Sequence, residues 1–490
     1  MNLQKRMGDT KQHTACIIGG GMSGLFTGAL LAKNGYKVTV LEKNHIIGGG
    51  LQSFRRGDAV FNTGMQSFAG YMPNMISLQF CKFCGVDDLL DVMPTDENQQ
   101  EIVWVDNQTN YRLPKGREAY QSYLIKMFPQ EEKGIGDLMD AVFHIGHTYD
   151  YLFLNPIRRH EDNIPYAYMN AYDFIRQYVH NEQLISIFEY VSWTTGPSLK
   201  AMPALEFCMM LTLYIIGSHR FVEGTKQMVD AFCHVIEETG GKVYNETEVC
   251  KINVENGHVV ELIDTNSKKW GSDIYVWACT PKILLDACNT PVFRPAMTQR
   301  IREFVNPFTM YIVFCKLKPN RFPFINSAVY MPHPSDKSYL PQSIVLVTSP
   351  HRNQNQWAQT AEIYIPACYE ELGKWENTKV QDRGRLYEEH KNQVARKALE
   401  MVSDFYPDIT DAVTDINVAS ALTIRDYYGN PHGATYGQQG LYLPIKTKVA
   451  NLFMTGQAVQ NQGIAGIATA ATLTAETILG KSLIEEIAKA

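Results

Sequence analysis

The 490-residue sequence predicts an α/β fold in which one nucleotide-binding domain, assembled from separated stretches of chain, is interrupted by an inserted α+β domain. Three observations carry this. A strand, a glycine turn, a helix and a second strand succeed one another at 16–43; strand and helix patterns return near 225 and again at the C-terminal end; and two long stretches of different character lie between. A chain of this length with 45% apolar and 20% charged residues can bury a large core, and it has the length of two or three ordinary domains.

The elements follow in order. Cys16, Ile17 and Ile18 form an apolar run that ends in glycines, helical spacing continues through Leu25, Ala29 and Leu31, and Gly35 stops the helix before a second strand, Lys37–Leu41. Thr225 is placed to cap a helix whose apolar face is Met228, Val229, Phe232, Val235 and Ile236, ended by Gly240-Gly241. Strands at 242–244 and 249–254 come next, Asn256-Gly257 makes a tight turn, and 259–263 returns as the hairpin partner. A buried strand is expected at 274–278 and a short one at 452–454, with a long helix from about Gly463.

These pieces give a discontinuous nucleotide domain of residues 14–70, 221–299 and 441–490, and an inserted domain of 71–220 and 300–440. The inserted stretches are rich in aromatics, methionine and amphipathic helical pattern, for which Leu386, Val394, Leu399, Val402 and Phe405 serve as an example. No repeat, low-complexity tract or long linker interrupts them.

A net charge of −6 and a pI near 6.1 carry no basic excess, so no nucleic-acid partner is expected. The local pair Arg158-Arg159 reads as a solvated loop. The first thirteen residues lack the apolar core of a signal peptide, which makes a cytoplasmic location the expectation. The apolar stretches at 204–217 and 463–480 are broken by Glu206 and built of small residues, respectively, so neither reads as a membrane span. Ten scattered cysteines suit reduced thiols; Cys81 and Cys84, the single CxxC pair, read as two small helix residues, since no second ligand pair stands nearby. The motifs of serine hydrolases, zinc proteases and P-loop enzymes are absent from the sequence.

Gly19, Gly21 and Gly24 satisfy GxGxxG directly after a strand and at the opening of a helix. The first permits the tight turn, the second lets backbone approach a pyrophosphate, and the third allows close packing of helix on strand. Glu42, at the end of the second strand, can accept both hydroxyl hydrogens of an adenosine ribose. Gly48, Gly49 and Gly50 supply a second flexible turn, and Gly456-Gln457 precedes a helix whose N-terminus could face the pyrimidine end of a flavin as charge builds there. A nicotinamide site needs no such third contact, so these segments favour FAD.

The segments IIGGGMSG, VLEKNHIIGGGLQSF, GDAVFNTGMQSFAG, FVEGTKQMVDAF, LTIRDYYGNPHGATYG and NLFMTGQAVQNQGIAGIATAA occur in the order seen in the phytoene desaturase and carotenoid isomerase superfamily. The sequence resembles that superfamily over nearly its whole length and is most like the retinol saturase branch. The resemblance implies a glutathione-reductase-like, Rossmann-type FAD-binding domain with an inserted substrate domain, acting on long conjugated or isoprenoid lipids. It also implies roles for residues. Gly19, Gly21, Ser23 and Gly24 would lie along the pyrophosphate, Glu42 on the adenosine ribose with Lys43 beside it, and Gly48, Gly49, Gly50 and Leu51 along the ribityl side. Val249 would offer its backbone to adenine; Gly64 and Met65 would sit near the flavin; Gly456, Gln457, Gly463, Ile464 and Ala465 would close the phosphate and flavin end. Three positions depart from the common pattern: Gly50 where many relatives have Arg, Gln457 where many have a carboxylate, and Asn62 where Asp is frequent.

A polyene has no ionisable group, so the flavin would exchange hydride with it while the protein shapes and dries the pocket. Saturation also needs a proton donor. The resemblance runs the stretch at 425–437 toward the flavin, which makes Tyr428 and Tyr436 candidates, together with Tyr427 and His432; aromatics beside the Asn430-Pro431 turn read equally as packing. Glu206, a carboxyl on an apolar helix, reads either as an acid of raised pKa or as a residue at the helix's exposed edge. Met209, Met210, Leu211, Leu213 and Ile215 read as a lipid tunnel lining or as ordinary core. The expectation is an FAD-dependent oxidoreductase that desaturates, saturates or isomerises a carotenoid-, retinoid- or isoprenoid-like lipid, touching a membrane surface to reach it. Its rivals are a flavin amine oxidase and a non-catalytic prenyl or lipid carrier of the GDP-dissociation-inhibitor type.

Overall fold

The computed structural model describes residues 12–156, 160–333, 335–353, 355–437 and 441–490; the first eleven residues and the Arg158-Arg159 pair lie outside them. A five-stranded parallel sheet runs in the order Lys242–Tyr244, Lys37–Leu41, Thr14–Ile18, Ile274–Trp277, Leu452–Met454. Successive side chains of a strand leave opposite faces. Ala15 and Ile17 accordingly enter one core with the helices Met22–Lys33, Lys226–Glu238 and Gly463–Leu479, while Cys16 and Ile18 enter another with Trp277, Ile252 and Leu262. Phe26 packs between Phe232 and Phe80, with ring centroids 4.5 and 4.7 Å away.

A second, seven-stranded sheet runs in the order Val413–Ala419, Thr309–Leu317, Thr360–Ala367, Ser343–Thr348, Ala328–Pro332, Glu101–Trp104, Asn110–Leu113. Its strands are antiparallel except for the pairing of Ala328–Pro332 with Glu101–Trp104. One face packs on helices that carry Phe174, Phe188 and Phe207; the other is covered by the helix Arg385–Ser403. A small sheet, with Ser218–Phe221 between Phe68–Ala69 and Val92–Pro94, lies where the chain passes between the two assemblies.

Some local expectations change. The Asn256-Gly257 turn has both residues at positive φ, 50° and 78°, as a tight hairpin demands, and its second strand begins at His258. Thr225 precedes its helix without capping it, because its hydroxyl donates to the Leu51 carbonyl at 2.8 Å instead. Leu386 is 66% exposed, and the buried face of its helix is Tyr387, Ala395, Ala398, Leu399 and Val402. The stretch 300–440, whose pattern suggested helices, contains five of the seven strands of the second sheet. Cys81 and Cys84 stand on the helix Ile76–Cys84, both buried, and burial pushes the Cys84 thiol up to about 12. Among the described residues no helix is long and apolar enough to cross a membrane.

Candidate functional site

Three loops meet at the C-terminal end of the parallel sheet. Gly21 and Gly48 pair as an isolated parallel bridge, and the Gly48 N–H donates to the Gly20 carbonyl at 2.9 Å, so the two glycine turns lie backbone against backbone. A Cβ on Gly49 would stand 3.2 Å from Gly21 Cα, and one on Gly456 would stand 2.9 Å from Ser23 Oγ. Gly24 admits no side chain at all, because a Cβ there would collide with the Gly19 carbonyl oxygen. Glu42 closes the loop from below: its carboxylate accepts from the Gly20 N–H at 2.8 Å and from the Asn44 N–H at 2.9 Å.

Around these loops lies a cleft with an empty volume of about 1360 Å³. It is lined by Gly19, Gly21, Ser23, Glu42, Lys43, Gly48, Gly49, Gly50, Leu51, Val249 and Gln457, which stretches of sequence more than 400 residues apart bring to one place. Gly24 and Gly456 shape the loops without lining the cleft. Lys43 Nζ also donates to the Asp426 carbonyl at 3.3 Å.

The cleft continues into a chamber of about 1520 Å³, with Gly50, Leu51, Tyr428, Thr435, Gln457 and Ile467 forming part of both walls. Gly64, Met65, Gly463, Ile464 and Ala465 line this chamber, the last three at the start of the helix Gly463–Leu479. Met209, Met210 and Leu213 line it from the helix Ala204–Ile216, while Leu211 and Ile215 turn into the core. No charged side chain is among its lining residues within the described part of the chain.

Of the proton-donor candidates, Tyr428 and Tyr436 both line the chamber. Tyr428 donates to the Thr63 carbonyl at 3.2 Å; Tyr436 donates to the Trp193 carbonyl and stacks on Phe308. Tyr427 lines the cleft, and His432 stacks on Tyr369 outside both spaces. Glu206 is buried, so the exposed-edge reading does not hold, yet it does not line the chamber; its carboxylate accepts from Tyr442 at 3.2 Å. At the departures from pattern, Gly50 faces Tyr428, and Asn62 accepts from the Thr225 N–H at 3.0 Å while its own amide donates to Gln66 at 3.4 Å, a bond that Asp could not make.

Sequence reasoning did not single out Thr280 and Pro281 of the cleft, though a Thr-Pro pair after a buried strand is a helix-start signal that marks the spot. Nor did it find Trp193, Tyr214, Tyr330 and Tyr364 of the chamber wall. No local pattern distinguishes them from other buried aromatics.

The parallel sheet, its glycine loops and an adjoining apolar chamber define a dinucleotide-dependent oxidoreductase. A family model described as flavin containing amine oxidoreductase matches residues 22–320. The chain belongs to that family. It is 23% identical over 532 residues to an all-trans-retinol 13,14-reductase of Danio rerio, covering 96% of this chain and 86% of that protein. It is 25% identical over 280 residues to a chloroplastic prolycopene isomerase of an Oncidium hybrid cultivar, covering 54% and 47%. Among solved structures, an oxidoreductase from Methanosarcina mazei superposes with a TM-score of 0.67 at 16% identity, covering 96% of this chain and all of that one. The cofactor is FAD, and the cleft suits it: a Cβ on Gly21 would come no nearer to other atoms than 3.9 Å, which leaves open backbone for phosphate, and Thr435 Oγ at the junction is buried without a partner.

Proposed function

We propose that the protein transfers hydride between FAD and a carotenoid-, retinoid- or isoprenoid-like lipid, desaturating, saturating or isomerising its C=C bonds. The observation that carries this reading is the chamber opening on the nucleotide cleft, which has no charged lining among the described residues and so offers an amine substrate no counter-ion from them. The resemblance to a retinol reductase and a prolycopene isomerase, each of which acts on a polyene by its name, supports it.

In this reading residues 14–70, 221–299 and 441–490 hold the cofactor and 71–220 with 300–440 hold the lipid. Gly19, Gly21 and Ser23 seat the pyrophosphate over Gly24, which packs helix on strand beneath them; Glu42 takes the ribose hydroxyls, and Gln457 with the N-terminus of the helix Gly463–Leu479 serves the flavin end. FAD supplies the two-electron chemistry. The protein's share is to dry the chamber with Met209, Met210, Leu213 and Met310 and to hold the polyene along it. The short helix Ile164–Tyr168 buries none of its residues and exposes Ile164 and Tyr168, which suits contact with a lipid surface; flotation with liposomes that is unchanged in an I164D/Y168D variant would count against that contact.

The test is the absorption spectrum of the purified protein, repeated under anaerobic reduction with an all-trans polyene. Flavin bands that bleach on reduction and recover as the polyene spectrum shortens establish a saturase. Bands that stay reduced while the polyene changes geometry indicate an isomerase, and oxygen uptake with amines alone overturns the lipid reading.

A further inference from the structure

One wall of the chamber conceals an acid. Side chains two apart on a strand share a face, so Glu362 and Tyr364 of Thr360–Ala367 point the same way, while Ile363 and Ile365 enter the opposite core. Tyr364 lines the chamber. Glu362 lies behind it with no exposure at all, its Oε2 3.4 Å from the Tyr364 hydroxyl. That hydroxyl oxygen also accepts from Gln66 Nε2 at 2.6 Å, and Ser349 Oγ donates to Glu362 Oε1 at 3.3 Å.

The charges around this pair are few. Arg220, 1% exposed, faces Glu362 from the small sheet and gives three of its five N–H donors to the carbonyls of Gln66, Ile325 and Thr348, at 3.4, 3.1 and 2.5 Å. Buried Glu101 and exposed Asp96 face the same guanidinium, and Cys315 of the neighbouring strand lies on the other side of the sheet from Glu362. One cation thus stands between two buried acids, Glu362 and Glu101. Desolvation pushes the Glu362 carboxyl up to about 8 against the pull of Arg220 and of hydrogen bonds from the Asn62 N–H, Ser349 and Tyr364, so it holds its proton at neutral pH. Tyr428 and Tyr436 donate to backbone carbonyls, which have no proton to return, whereas Tyr364 donates to a carboxyl that does.

We propose that Tyr364 is the catalytic acid of the chamber and that Glu362 is a positioning residue that orients its hydroxyl and replaces its proton. The assignment rests on the polyene reading above. In the saturating direction one carbon of the double bond takes a hydride, with its electron pair, from reduced flavin, which is thereby oxidised. The neighbouring carbon forms its C–H bond as the Tyr364 O–H bond breaks, and the Glu362 proton passes to the tyrosine oxygen. The carboxylate so formed faces Arg220 until solvent returns a proton.

The experiment compares wild-type holoenzyme with Y364F, E362Q and E362D, the last keeping an acid but withdrawing it from Tyr364. Y364F is expected to cut polyene saturation by about 10²–10⁴-fold with its flavin spectrum unchanged. Wild type is expected to lose activity as pH rises through about 8 and E362Q to lack that fall, since an amide does not titrate. The infrared difference between wild type and E362Q, taken without substrate, is expected to contain a protonated-carboxyl band at neutral pH that vanishes as pH rises through about 8. Wild-type turnover in Y364F overturns the role of Tyr364, while absence of the band, or an unchanged alkaline limb in both Glu362 variants, overturns that of Glu362. Wild type that reduces no polyene brings down the functional reading together with this one, whereas intact turnover with an unaffected Y364F brings down this one alone.

Discussion

Two glycines of the first turn answer to different demands, and alanine separates them. A Cβ on Gly24 would meet the Gly19 carbonyl and stand 3.1 Å from Ile17 Cγ2, so G24A is expected to cost about 1–3 kcal/mol in a denaturant titration. At Gly21 the added methyl meets nothing nearer than Gly49 Cα at 3.9 Å, so G21A is expected to fold with wild-type stability and to retain little flavin, read as the ratio of flavin to protein absorbance. Glu189 offers a second residue-scale test. Burial pushes its carboxyl up from 4.5 to about 7, against bonds from Ser192 Oγ and the Leu199 N–H. The native state therefore keeps a proton that the unfolded chain has released. The stability this contributes is complete below pH 4.5 and is lost as pH rises through about 7, so the melting temperature of E189Q should gain on wild type over that window. The close packing at Gly24 was legible in the sequence because it is a steric requirement of the turn itself. Glu189, Glu362 and Tyr364 were not, because their behaviour comes from neighbours contributed by other strands.

Among elements, the helix Ala204–Ile216 forms one side of the chamber through Met209, Met210 and Leu213. M210W is expected to narrow that space and raise KM for a long polyene about tenfold, with flavin content unchanged because Met210 does not line the nucleotide cleft. The strands of the parallel sheet could be read from sequence because glycine turns and helices of clear period bracket them, as at 16–43. Thr309–Leu317 and Thr360–Ala367 could not. Nearly every residue of both is buried, so neither shows the alternation by which a strand declares itself. Leu386 misled for a related reason: it keeps the helical spacing of its neighbours but sits one position off the face that the sheet covers.

At the scale of the molecule, the cleft is held by residues from the beginning, middle and end of the chain, so bound FAD stabilises all of them together. Free FAD at a hundred times its Kd is expected to add about 2.7 kcal/mol to unfolding, and to protect cleavage sites near Gly48, Val249 and Gln457 in parallel under limited proteolysis. That the chain leaves the nucleotide sheet and returns was legible from the recurrence of strand and helix patterns. That the intervening stretches form a sheet of their own was not, since its strand order joins Glu101–Trp104 to Ala328–Pro332 across more than two hundred residues. The edge position of Leu452–Met454, hydrogen-bonded to Ile274–Trp277, has a consequence for biosynthesis. A ribosome that has released Gly19 must add more than four hundred further residues before that strand and Gln457 emerge, an interval of roughly 20–90 s at bacterial to eukaryotic elongation rates. Through all of that time the nascent polypeptide has a phosphate loop but no complete cleft, so the cofactor finds its full set of contacts only after that last strand has emerged and joined the sheet.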